Sequence, residues 1–107
     1  MFVQVALPLP VHHTFTYRVP EHERERAVPG ARVLVPFQRR ERIGWIDRVV
    51  RATELKGVKE LHGVLDERPS APLEILKLSR WIADYYIAPL GQVLRTALPA
   101  VLCDSST

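Results

Sequence analysis

Residues 32–51, RVLVPFQRRERIGWIDRVVR, decide the fold. Val33, Val35 and Phe37 alternate with Arg32, Leu34 and Pro36, the period of a half-buried strand. Further on, Ile43, Ile46, Val49 and Val50 carry β-branched bulk into a second run. Residues 38–42, QRRER, join the two as a charged turn, so Arg39, Arg40 and Arg42 gather where two strands meet. Gly44, just inside the second run, predicts a bulge or a close backbone approach.

Upstream, residues 2–7 alternate loosely and predict a first strand, which Pro8 and Pro10 end. Residues 14–19 follow, with Phe15, Tyr17 and Val19 on one face and Thr14, Thr16 and Arg18 on the other. Pro20 stops this strand. The mixed-charge run 21–26, EHERER, has no apolar face and reads as a solvated loop with at most one helical turn. Val28-Pro29-Gly30 is a turn leading into the central hairpin.

Downstream, the polar residues 51–57 form a connection, and 58–66 alternate weakly as a last strand. Residues 67–70 are a break. Ser70 or Ala71 is expected to cap a helix with Pro72 in its first turn. Ile75, Leu78, Ile82 and Tyr85 recur at helical spacing and predict its core-facing stripe, with Lys77, Arg80 and Asp84 off it. Pro89 ends that helix and opens a short one over 90–97, closed by Pro99. Strands first and helices last predict an α+β domain. The expected fold is a small, open, OB-like β-barrel of four to five strands with a C-terminal helical segment. The barrel is assigned to residues 1–66, the helical part to 67–99 and a tail to 100–107.

At 107 residues the chain fits one domain with a modest core. Its 47% hydrophobic and 25% charged content excludes a disordered tail. No apolar run approaches the roughly 20 residues of a membrane span. The N-terminus lacks a basic stretch before an apolar one, and a single cysteine, Cys103, can form no internal disulfide. A reducing cytoplasm is the expected compartment. The net charge of +3 and pI near 9.4 are compatible with a nucleic-acid partner.

Phosphate-binding and nucleophile-elbow motifs are absent, so no catalytic residue is assigned. Of the histidines 12, 13, 22 and 62, His12 and His13 would point to opposite faces and lack a cysteine or carboxylate partner at ligand spacing, and no metal site is expected. Cys103 reads as an inert thiol. Arg39, Arg40 and Arg42 have two readings: a charged turn that blocks edge pairing, or contacts to phosphate. Phe15 and Phe37 are core by pattern, yet at a barrel mouth either ring could stack on a base. The aromatic-rich run 81–86, WIADYY, reads as helix-to-sheet packing rather than a binding surface.

In order along the chain come V-A-L-P-L-P, T-F-x-Y, P-G-x-R-V-x-V-P-F, E-R-I-G, V-L-D, W-x-A-D-Y-Y-x-x-P-L-G and A-L-P. This ordered set, running from about Val3 to Pro99, resembles the N-terminal domain of the PriA family, the primosomal protein N′ helicases of bacterial replication restart. The resemblance implies a fork-binding module of an ATP-dependent 3′–5′ DNA helicase. It implies that this domain binds the 3′ end of the nascent leading strand at a stalled fork. The motor lobes, with their ATP and magnesium, and the zinc-binding cysteines lie elsewhere in such proteins. No cofactor is therefore expected in this stretch. The pocket for the terminal nucleotide falls on Phe15, Thr16, Gln38 and Lys59. Two positions depart from the family pattern, since Thr16 stands where Asp is frequent and Gln38 where Gly is. Thr16 keeps a hydroxyl but loses a carboxylate acceptor. Implied partners are branched DNA with a 3′-OH end, the rest of the helicase chain and other primosome proteins, with no membrane. The implied location is the bacterial cytoplasm at the nucleoid. The alternative is a scaffolding domain that docks on the motor lobes through its aromatic helix.

Overall fold

The computed structural model describes residues 1–66, 68–69 and 71–97. Its central element is β4, Arg40–Val50, whose eleven residues pair with β1 (Phe2–Ala6) on one side and β3 (Arg32–Phe37) on the other. β2 (Phe15–Arg18) pairs with β1, and the two-residue β5 (Gly63–Val64) pairs with β3. All pairings in this β2-β1-β4-β3-β5 sheet are antiparallel. Helices α1 (Leu73–Tyr86) and α2 (Leu90–Ala97) follow, so the domain is α+β as expected.

Alternation along β4 divides the interior in two. Ile46 joins Val3, Val5, Val33 and Val35 inside the curved sheet, while Trp45 turns the other way to meet Leu76 of α1 and Leu94 of α2. The sheet remains open as a ladder, but its edges are brought together. Arg18 N–H donates to the Lys59 carbonyl (2.9 Å), and Leu61 N–H donates to the Arg18 carbonyl (3.0 Å). His62 N–H then reaches the Leu34 carbonyl of β3 (2.7 Å). The expected strand over 58–66 is thus reduced to Gly63–Val64, because its first residues bridge to β2 instead.

The central hairpin is tighter than the sequence suggests. Only Gln38 and Arg39 form the turn, and both have positive φ (49° and 66°), the backbone twist that suits a two-residue hairpin. Arg40, Glu41 and Arg42 continue β4, opposite Phe37, Pro36 and Val35. Gly44 pairs regularly with Val33, so it forms no bulge. It does sit at a close approach, where a Cβ would lie 2.6 Å from Val5 Cγ1 and 2.7 Å from the Ala6 carbonyl oxygen. The bulge falls at Asp47 instead: Val5 pairs with Ile46 and Gln4 with Arg48, leaving Asp47 unopposed.

Two further expectations are corrected. Within the charged run, the one-turn 3-10 helix Glu21–Glu23 buries Glu23. Its carboxylate accepts from Val64 N–H (3.0 Å) and Arg26 Nη2 (2.9 Å), so it pins β5 rather than facing solvent. The buried face of α1 is Leu76, Ser79 and Ala83; of the expected stripe, Ile75 and Ile82 are half-buried at its margin, while Leu78 and Tyr85 are exposed. Indole-sized Trp45 fills the space below, so the helix approaches with small side chains, and Arg80 reaches the Asp47 bulge. Leu78, Trp81, Tyr85 and Tyr86 are consequently exposed, and the aromatic run does not pack on the sheet. Pro72 occupies the N-cap of α1 without a side-chain hydrogen bond. Ser70, Pro99, Cys103 and the assigned tail 100–107 lie outside the described residues.

Candidate nucleic-acid interface

Phe15 and Tyr17 point to the same side of β2. Tyr17 is buried, and its hydroxyl donates to the Pro36 carbonyl (2.8 Å), tying β2 to the far end of β3. Burial pushes the Tyr17 phenol above its ordinary pKa, because the phenolate would be poorly solvated there. Two residues nearer the barrel mouth, Phe15 is half-buried and meets Phe37 edge-to-face, with centroids 4.9 Å apart and planes at 72°. His13 lies against the other side of Phe15, 4.8 Å between centroids. Lys59 is positioned by its own carbonyl, which accepts from Arg18 of β2.

These residues border a concavity of about 480 Å³ at the mouth of the barrel. Phe15, Thr16, Gln38 and Lys59 all line it, although they come from one strand, a hairpin turn and a loop. Lys56 adds a second cation, and no carboxylate is among the lining side chains. The positive potential is therefore uncompensated within the cavity wall. The sequence reading missed Leu55, Lys56 and Val58, which close the far wall; Lys56-Gly57, with Gly57 at a φ of 70°, was the available signal of a loop turning back.

The arginines of the hairpin do not line this cavity, although its turn residue Gln38 does. Arg39 and Arg40 are exposed at the tip. Arg42 instead places its guanidinium 6.0 Å over the Phe37 ring, and its buried Nε has no hydrogen-bond partner. Phe37 thus contacts both a cation and the Phe15 ring.

Among the described residues no group of three or more His, Cys, Asp or Glu side chains could hold a metal ion. None of the described helices is long and apolar enough to cross a membrane. An aromatic edge, two ammonium groups and hydroxyl and amide side chains suit the binding of a stacked, anionic ligand.

An open barrel of OB-like form with an aromatic, cationic mouth defines a nucleic-acid-binding module. The particular family follows from comparison with known proteins: the chain belongs to the 3′ DNA-binding domain (3′BD) of PriA, whose family model matches residues 4–99. It is 35% identical over 103 residues to the replication restart protein PriA of Haemophilus influenzae, covering 94% of this chain and 14% of that protein. It is 34% identical over 94 residues to the PriA of Bacillus subtilis, covering 86% of this chain and 12% of that one. With the PriA of Chlamydia pneumoniae the identity is 29% over 101 residues, covering 94% and 13%. The chain thus spans roughly one-eighth of the length of these relatives, and it is the 3′ DNA-binding module alone.

Proposed function

We propose that the barrel-mouth concavity holds the 3′-terminal nucleotide of the nascent leading strand at a stalled replication fork. The observation that carries this is the convergence of Phe15, Thr16, Gln38 and Lys59 on one cavity free of carboxylates. Phe15 offers its ring to the terminal base whatever its identity, a contact worth about 1–3 kcal/mol. Lys59 neutralises the phosphate 5′ of that nucleotide. The Thr16 hydroxyl and the Gln38 amide hydrogen-bond the base edge or the 3′-hydroxyl, so the two departures from the family pattern change the donors rather than abolish them. End selection would follow if the 3′-hydroxyl, rather than a further phosphate, meets the Thr16 and Gln38 side chains.

The test is fluorescence anisotropy on forks ending in 3′-OH or 3′-phosphate. The phosphate should weaken binding by about tenfold or more, a step of about 1.4 kcal/mol. Equal affinities overturn end recognition. Binding by this pocket requires no ATP, magnesium or zinc, and chelation with EDTA should leave the isolated domain's affinity unchanged. A DNA partner of this kind places the protein in the bacterial cytoplasm, at the nucleoid.

A second surface favours an additional role. Leu78, Trp81 and Tyr85 are 53%, 58% and 66% exposed, and the last two rings stack at 5.1 Å. Their 3- and 4-residue spacing puts them on one helix face. In a full-length chain this face docks on the helicase lobes, beside the DNA function rather than in place of it. Amide exchange along α1 should then be slower in a full-length protein than in the isolated domain, and identical exchange rates refute the docking.

A further inference from the structure

A second groove, about 580 Å³, lies on the helix side of the sheet. Gln4 and the bulged part of β4, with Arg48, form one wall; the C-terminal half of α1, with Arg80, Asp84 and Ile87, forms the other. His13 and Thr14 line both this groove and the barrel-mouth concavity. The two depressions therefore meet at a two-residue ridge. We propose that the strand whose 3′ end occupies the barrel mouth runs in its 5′ direction across His13 and Thr14 into this groove, where Arg48 takes a backbone phosphate. This extends, and rests on, the terminal-pocket reading.

The charges in the groove support that path. Asp47 is engaged by Arg80, whose Nε donates to Oδ1 at 2.6 Å and whose Nη2 donates to the Asp47 carbonyl. Arg48 approaches Asp47 Oδ2 only at 3.6 Å, beyond hydrogen-bond length, and its side chain is 65% exposed. The Asp47 carboxylate is thus satisfied by one arginine, and the other keeps donors for an anion. Asp84 is the opposing charge on α1, His13 is exposed at the ridge and His12 is exposed beside it in the groove. His13 also extends the ring array, from Phe37 through Phe15, towards the groove. The base preceding the terminal one would meet that imidazole face without sequence preference. Both volumes fall within the roughly 300–1,000 Å³ of ordinary ligand pockets. The terminal cavity alone therefore cannot house a longer strand, which must leave it somewhere.

The experiment uses unlabelled oligothymidylates of two to six nucleotides with free 3′-OH ends, measured by competition against a labelled fork. Wild-type affinity should rise with length and then level off. Arg48→Ala should bind the dinucleotide as wild type does, yet bind the hexanucleotide about three- to tenfold more weakly, with a salt slope smaller by about 0.7. Asp84→Asn, at an exposed position, should strengthen hexanucleotide binding about two- to threefold by removing a like charge. An Arg48→Ala protein indistinguishable from wild type on the hexanucleotide overturns the path, as does an affinity that does not grow with length. Failure of the terminal pocket itself shows separately, as equal binding of dinucleotides ending in 3′-OH and 3′-phosphate.

Discussion

Phe15 and Lys59 reach the same cavity from neighbouring segments, one on β2 by strand register and the other on the chain that bridges to Arg18 of the same strand. Their contributions to binding are separable. Phe15→Ala should cost about 1–3 kcal/mol of DNA affinity with little change in salt dependence, because stacking carries no charge. Lys59→Ala should reduce the slope of log affinity against log salt by about 0.7, one single-strand phosphate contact. An unchanged slope would mean that Lys59 touches no phosphate. Tyr17 supplies a pH test. Its folded pKa lies above the unfolded value near 10, so the neutral phenol stabilises the fold fully below about pH 10. That contribution is lost as pH rises through the higher folded value. Urea unfolding of the wild type should therefore shift to lower denaturant as pH rises above about 10, and Tyr17→Phe should remove most of that shift.

Elements are held together by a few specific devices. The Asp47 bulge faces Arg80 of α1, and this pair anchors the helix to the sheet beside the Trp45 packing. Loss of one partner of a fully buried pair costs about 3–5 kcal/mol, and Arg80 is 28% exposed, so about 2 kcal/mol is expected for Asp47→Ala. Thermal unfolding with a probe on Trp45 would measure it. Gly44 and Gly91 set how closely β4 and α2 approach β1. Gly44→Ala pushes into the flexible Val5 and Leu7 side chains as well as the Ala6 carbonyl, so about 1–3 kcal/mol is expected. Gly91→Ala overlaps the Leu7 carbonyl itself, which cannot rotate away, and should be the worse of the two by the same measurement. The expected stripe of α1 misplaced the buried face because hydrophobicity was weighed without the partner surface. Against a large indole and a buried carboxylate, Ser79, Ala83 and Arg80 fit where Leu78 and Tyr85 do not.

At the scale of the whole molecule, the barrel is completed by the chain between 59 and 64, which contributes only two strand residues yet joins both sheet edges. Glu23 holds this segment through Val64 N–H, so a residue remote from the cavity governs its wall. Glu23→Ala leaves that buried amide without its acceptor, at a cost of about 1–3 kcal/mol. Faster hydrogen exchange at Val64 and weaker DNA binding should appear together; exchange that is unchanged would place the pin elsewhere. The cavity and the exposed aromatic face are also separate at this scale. The mouth of the barrel carries Phe15 and Lys59, while the outward side of α1 carries Trp81 and Tyr85.

Period-2 alternation at 14–19 and 32–37, the prolines at 8, 10, 20 and 89 and the ordered motifs from Val3 to Pro99 determined the strands, the helices and the family. These signals are local, carried by side-chain direction and fixed backbone angles. Tertiary structure alone decided the bulge at Asp47, the burial of Glu23, the outward aromatic face of α1 and the gathering of Phe15, Thr16, Gln38 and Lys59 around one cavity. Each of these depends on which distant segment arrives opposite, and no pattern within a single stretch records that.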